Sequence, residues 1–207
     1  MLTLYHSPES RSVAILSLIE EMGIHDWIEV RTVTIPRMDG SGGRDPANPH
    51  PEGKVPALVH DGVVLTERAA IILHLTSLFP DSGMAPKVGT PQWGAFATWM
   101  AWYQGVLEPA FILEGAGVSH PWLTAAIRDH KTAVARLRAA LEKGRWIMGD
   151  SFSAADILLH GPYAWFPEGT PDDVLIRDWV DRCKARAASI KVRTEDARRM
   201  AALRAAA

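Results

Sequence analysis

The chain has 207 residues, 47% of them hydrophobic and 22% charged, which suits one or two buried cores and not a disordered or fibrous protein. Its net charge of −2 and isoelectric point near 6.4 supply no general attraction to nucleic acid or to an anionic membrane surface. The one cysteine, Cys183, excludes an intramolecular disulfide, a CxxC redox pair and a thiolate zinc cage, and the histidines are scattered without an HExxH pattern, so no metal is expected.

Taken in order, the N-terminus MLTLYHSP lacks the basic and long apolar regions of a secretory signal, and no apolar run approaches the ~18 residues of a membrane span, so the expected compartment is the cytoplasm. Leu2 to Tyr5 reads as a strand, followed by a cluster of small hydroxyls at Ser7, Ser10 and Ser12. Such a turn either caps a helix or aims a hydroxyl and backbone N–H groups at a ligand. Val13, Leu16 and Ile19 mark a helix that stops at Gly23. Trp27 to Val33 reads as a second strand, and PRMDGSGGRDPANPHPEG as a long irregular connection with at most one helical turn. VPALVH and VVLT then flank Asp61-Gly62, a strong hairpin signal. Thr66 is expected to cap a helix running to about Leu78, closed by Phe79-Pro80. The order β-α-β-(α)-β-β-α implies a mixed four-stranded sheet.

A Pro- and Gly-rich linker at residues 81–90 separates this α/β part, residues 1–80, from an all-helical part, 91–207. There the pattern predicts a long aromatic helix from Trp93 to Phe111, another from Trp122 to Leu141, one starting in DSFSAADILLHG, one from Val174 to Ser189, and a final Ala/Arg-rich stretch. In FSAADIL, Ser153 and Asp156 have the spacing of a capping box, and Phe152 and Ile157 that of a hydrophobic staple, which makes these residues structural.

Three stretches, SPESRSV, GKVPALVHDGVVLTERAAI and GDSFSAADIL, stand in an order that resembles the cytosolic glutathione transferase superfamily, in particular its bacterial serine-type members. The resemblance implies a thioredoxin-like N-terminal domain (βαβαββα) that holds glutathione, an all-helical C-terminal domain that shapes a pocket for a small hydrophobic electrophile, and a homodimer. It places Ser7 where the family keeps the hydroxyl that bonds the glutathione sulfur, with Ser10 as the alternative and Ser12 as a cap or core residue. Pro56 falls on the family's cis proline, whose geometry lets the backbone of Val55 pair with the extended tripeptide. Lys54 stands where relatives reach the glycyl carboxylate. Glu67 falls on the acidic residue that meets the ligand's ammonium. Arg68 stands in place of the usual Ser or Thr that binds the γ-glutamyl carboxylate, and either takes over that contact bidentately or points away and leaves it to the backbone N–H. Tyr5 is expected to be buried in its strand.

The aromatics of the helical half exceed what one helix face can bury, which suggests Trp102 and Tyr103 as pocket walls. A hydroxyl donor beside the sulfur, with a helix N-terminus behind it, favours thiolate over a thiol whose unperturbed pKa is about 8.5. Two other functions share the scaffold: a glutathione-dependent disulfide or peroxide reductase, and a non-catalytic binding or regulatory protein, which Arg68 keeps open and Ser7, Lys54, Pro56 and Glu67 together argue against.

Overall fold

The structure, a computed structural model, describes residues 1–206. Contacts divide the chain into two compact units, Met1–Ser82 together with the chain from Ala187 on, and Gly83–Arg186.

In the first unit the sheet is built on β1 (Leu2–His6), buried at every position. Its neighbours are β2 (Ile28–Thr32), parallel to it, and β3 (Ala57–His60), antiparallel. β4 (Val63–Leu65) closes the Asp61-Gly62 hairpin, so the order across the sheet is β2-β1-β3-β4. Between β1 and β2 runs α1 (Val13–Met22), which buries Ile15, Leu16, Leu18 and Ile19 and ends at Gly23. Gly23 sits at φ 66°, where a side chain would be strained, and its N–H bonds the helix's last carbonyls. The second strand starts one residue later than its apolar pattern suggests, because His25–Trp27 forms a 3₁₀ turn. The segment from Val33 to Pro56 contains turns and no helix, so the expected helical turn does not form there; its Pro and Gly content favours turns.

The helix α2 (Arg68–Leu78) begins later than expected: Glu67, not Thr66, occupies the N-cap. The last helix, α10 (Ala187–Ala206), also differs from expectation, since it belongs to this unit rather than to a helical domain spanning 91–207. It packs on α1, burying Ala188, Val192, Asp196 and Met200 at four-residue spacing, with Lys191 paired to Glu20 at 2.8 Å.

The second unit is helical. α3 (Pro91–Trp102) is capped by Thr90 and passes through a π-type turn, Tyr103–Leu107, into α4 (Glu108–Gly115), where one long helix was expected. The next helix also divides, into α5 (Pro121–Ile127) and α6 (His130–Leu141), because Arg128 takes φ 64° and Asp129 caps the second piece. α7 (Ala154–Leu159), α8 (Gly161–Trp165) and α9 (Val174–Lys184) follow. The capping box at Ser153 and Asp156 is formed. Asp156 is fully buried and also accepts from the N–H of Ile147 and the indole of Trp179, both at 2.9 Å, tying the loop before α7 to α9. Burial pushes its carboxyl above the ordinary value, and these donors pull the other way.

Candidate functional site

At the end of β1 the chain turns through Ser7–Ser12 into α1, and hydrogen bonding sorts the three hydroxyls. Ser12 is fully buried at the N-cap position but makes no capping bond. Its Oγ instead lies 2.8 Å from Nδ1 of His6, whose Nε2 lies 2.8 Å from Oδ1 of Asp196. The other carboxylate oxygen accepts the N–H of Glu9 at 2.7 Å. Ser10 donates its hydroxyl to the carbonyl of Ser7 at 2.6 Å and touches Ser12 Oγ at 2.7 Å. Ser7 Oγ accepts a hydrogen from Arg37 Nη2 at 3.2 Å, which leaves its own hydrogen uncommitted. The same guanidinium donates to the carbonyl of Pro8 at 2.7 Å, so a cation rests on the turn. Ser7 is 1% exposed beneath it.

Arg37, His6 and Asp196 carry no sequence signal of this role. A lone arginine in a Pro/Gly loop reads as a solvated charge, and Asp196 lies 190 positions from its partner. Tyr5 is buried among Val33, Val55 and Ala57, as expected of it.

A second group of the expected residues lies in the segment before β3. The Val55–Pro56 bond is cis, and both residues are buried. Asn48 holds the segment by donating to the carbonyl of Lys54 at 3.0 Å. Lys54 itself is exposed and paired with Glu52, whose hydrogen bond and charge raise the Lys54 pKa, with a smaller push from Glu67. His50 is held below its ordinary value, first by burial, while Glu52 and Glu67 pull it up and Lys54 and Arg44 push it down. These charges therefore lie within electrostatic reach of one another, and Arg11 in the turn before α1 also acts on Lys54.

Glu67 is exposed and sits at φ 65°, ψ 121°, an unusual conformation for a residue with a side chain. Its side chain makes no capping hydrogen bond to α2. Arg68, by contrast, is only 6% exposed.

Of the two residues expected at an electrophile pocket, Tyr103 is 1% exposed and its ring packs into the core of the second unit. Trp102 is half-buried, edge-on to Trp99 at 5.2 Å, and its face is covered by the guanidinium of Arg136 at 4.6 Å. Among the described residues no three His, Cys, Asp or Glu side chains gather as a metal site, and no helix is long and apolar enough to cross a membrane.

Residues 2–83 match the family described as glutathione S-transferase, N-terminal domain. A glutathione transferase structure from Methylococcus capsulatus str. Bath superposes with a TM-score of 0.76 at 27% identity, covering 95% of this chain and 99% of that one. The N-terminal part of the chain, residues 2–83, belongs to the glutathione transferase superfamily. The chain's fold is the thioredoxin-like N-terminal domain of that superfamily followed by a helical region. A sphingomonad glutathione S-transferase complexed with glutathione is similar at TM-score 0.74 and 26% identity, over 94% of this chain and 98% of that one. Glutathione S-transferase 3 of Schizosaccharomyces pombe is 30% identical over 109 residues, 53% of this chain and 43% of that protein. The chain spans about half the length of the curated relatives it matches.

Proposed function

We propose that this chain is a glutathione transferase: it binds glutathione, stabilises its sulfur as thiolate and directs it at a small hydrophobic electrophile. The observation that carries the reading is the uncommitted hydrogen of Ser7, held beside the Arg37 guanidinium at the turn into α1. A donor and a cation at one point favour an anion there over a neutral thiol. The hydroxyl of Ser10 already donates to the Ser7 carbonyl, which favours Ser7 as the sulfur's partner.

The charges nearby match the rest of the tripeptide. Glutathione carries two carboxylates and one ammonium. Glu67 suits the ammonium, the positive end of the α2 dipole suits the γ-glutamyl carboxylate, and Lys54 suits the glycyl carboxylate. Arg68 then acts from behind the helix start rather than as a ligand fork, consistent with its burial. The backbone of Val55, before Pro56, is the expected edge for pairing with the peptide. Trp102 is retained as a candidate wall of the electrophile pocket, and Tyr103 supports it through packing. The reading extends to a homodimer acting in the cytoplasm without a metal.

The test combines calorimetric titration with glutathione, ultraviolet detection of bound thiolate, and turnover of an activated aryl halide. Binding with thiolate at neutral pH, lost in Ser7→Ala, supports the transferase. Turnover of disulfides or peroxides but not of the halide moves the function to a reductase. Absence of glutathione binding in the folded protein refutes both.

A further inference from the structure

The buried face of α10 contains one charged residue. Ala188, Val192, Asp196 and Met200 lie in a line, and an apolar residue at the third position would serve packing without desolvating a carboxylate. Asp196 instead has both oxygens engaged by the turn that carries Ser7. Oδ1 meets His6 Nε2 and Oδ2 meets the N–H of Glu9.

We propose that Asp196 is the positioning residue of this site, fixing through His6 the hydroxyl chain that leaves Ser7 free to hold the glutathione sulfur. The proposal rests on the reading of the site given above. The carboxylate accepts the Nε2 hydrogen, and Nδ1 then accepts the hydroxyl of Ser12. Ser12 Oγ also accepts the N–H of Ser7 at 3.3 Å and lies 3.3 Å from the Ser7 carbonyl. Ser10 is drawn in beside it and donates to the Ser7 carbonyl. Of the three hydroxyls only that of Ser7 retains an uncommitted hydrogen. The second oxygen of Asp196 holds the turn's backbone at Glu9, whose side chain is paired at 3.2 Å with Arg204 of the same helix.

The arrangement Ser12–His6–Asp196 has the connectivity of a nucleophilic triad but not its use. The Ser12 hydroxyl is engaged by His6 and lies 2.7 Å from Ser10 Oγ, whereas Ser7, about as deeply buried, keeps its own hydrogen uncommitted. What remains is orientation: the terminal helix, remote in sequence, sets which hydroxyl is presented at the site.

The test uses the full chain with Asp196→Asn, which keeps the volume and one acceptor, and the double variant His6→Leu/Asp196→Leu, which removes both polar partners and folds without an unpaired buried carboxylate. Two ligands separate positioning from general damage: glutathione, and S-methylglutathione, which has no ionisable thiol. The expected result is S-methylglutathione affinity within about twofold of wild type, with the titration midpoint of the bound glutathione thiol raised by about one unit, a tenfold loss of thiolate below it. The two variants should show the same shift, because they break one chain. An unmoved thiol midpoint in either folded variant overturns the proposal, as does equal loss of both ligands. If wild-type protein itself holds no thiolate, it is the transferase reading that has failed, and this proposal falls with it.

Discussion

Replacing Arg37 by methionine removes the charge at the turn while keeping most of the side-chain length. A sulfur accepting the Ser7 hydrogen stands on the order of 5 Å from the guanidinium, two hydrogen bonds meeting at a bend. Opposite charges about 5 Å apart at an effective dielectric near 20 attract by about 3 kcal/mol. The guanidinium is partly exposed, and solvent screening reduces this to roughly half, about 1.5 kcal/mol or one pKa unit. Arg37→Met should therefore raise the bound thiol midpoint by about one unit. Turnover of an activated aryl halide should fall about tenfold at pH values below that midpoint and converge on wild type well above it. Arg37→Lys keeps the charge but loses the fork that also grips the Pro8 carbonyl, so its thiol shift should be the smaller of the two. An unmoved midpoint in the folded Met variant would show that the guanidinium does not act on the sulfur. Equal shifts in the Lys and Met variants would show that geometry, not charge, is responsible.

Three further substitutions probe the surrounding fold. Asp156→Ala leaves the N–H groups of Ile147 and Ser153 and the Trp179 indole without their acceptor, at a cost on the order of 3 to 5 kcal/mol in denaturant unfolding; a loss below about 1 kcal/mol would mean that water replaces the carboxylate. Glu67→Gly should raise the unfolding midpoint, because glycine adopts φ 65° freely, yet weaken glutathione binding about tenfold by calorimetry; a destabilised variant would show that the backbone there is unstrained. Asp129 caps α6, and the hydroxyl of Thr132, then its N–H, hold the carboxyl below its ordinary value. Its stabilisation is complete above the unfolded value of about 3.9 and is lost as pH falls through the lower folded value. The stability gap between wild type and Asp129→Asn should accordingly be present at pH 6 and close at pH 2 to 3, and a gap independent of pH would refute the assignment.

The features that sequence reading captured depend on neighbours along the chain. The Asp61-Gly62 hairpin, the Gly23 stop and the Ser153–Asp156 box each need only a few adjacent residues, and each is formed as expected. The breaks it missed are also local, but their signals compete with stronger ones. Aromatic periodicity runs straight through Tyr103, where the π-type turn occurs, and Arg128 adopts a positive φ that its residue type does not announce. Thr66 and Glu67 illustrate the same limit at one residue's resolution: threonine is the better cap by composition, yet the helix starts after Glu67.

The site divides along the same line. Ser7, Lys54, Val55, Pro56 and Glu67 could be named because each stands beside a strand or helix end that the sequence marks, and such ends are where backbone groups and side chains are presented together. Which of three hydroxyls faces the ligand is a different kind of question. Ser7, Ser10 and Ser12 are equivalent as residue types, and they become unequal through close partners, the Ser7 carbonyl and His6, and through two remote residues, Arg37 on Ser7 and Asp196 behind His6. A hydroxyl has one hydrogen to give, so removing two of the three from the cleft by internal bonds selects the third as firmly as contact with the ligand would. On the proposed reading the terminal helix bears on the chemistry of a turn near the start of the chain, and substitutions at Asp196 then act first through hydroxyl orientation and only second through packing.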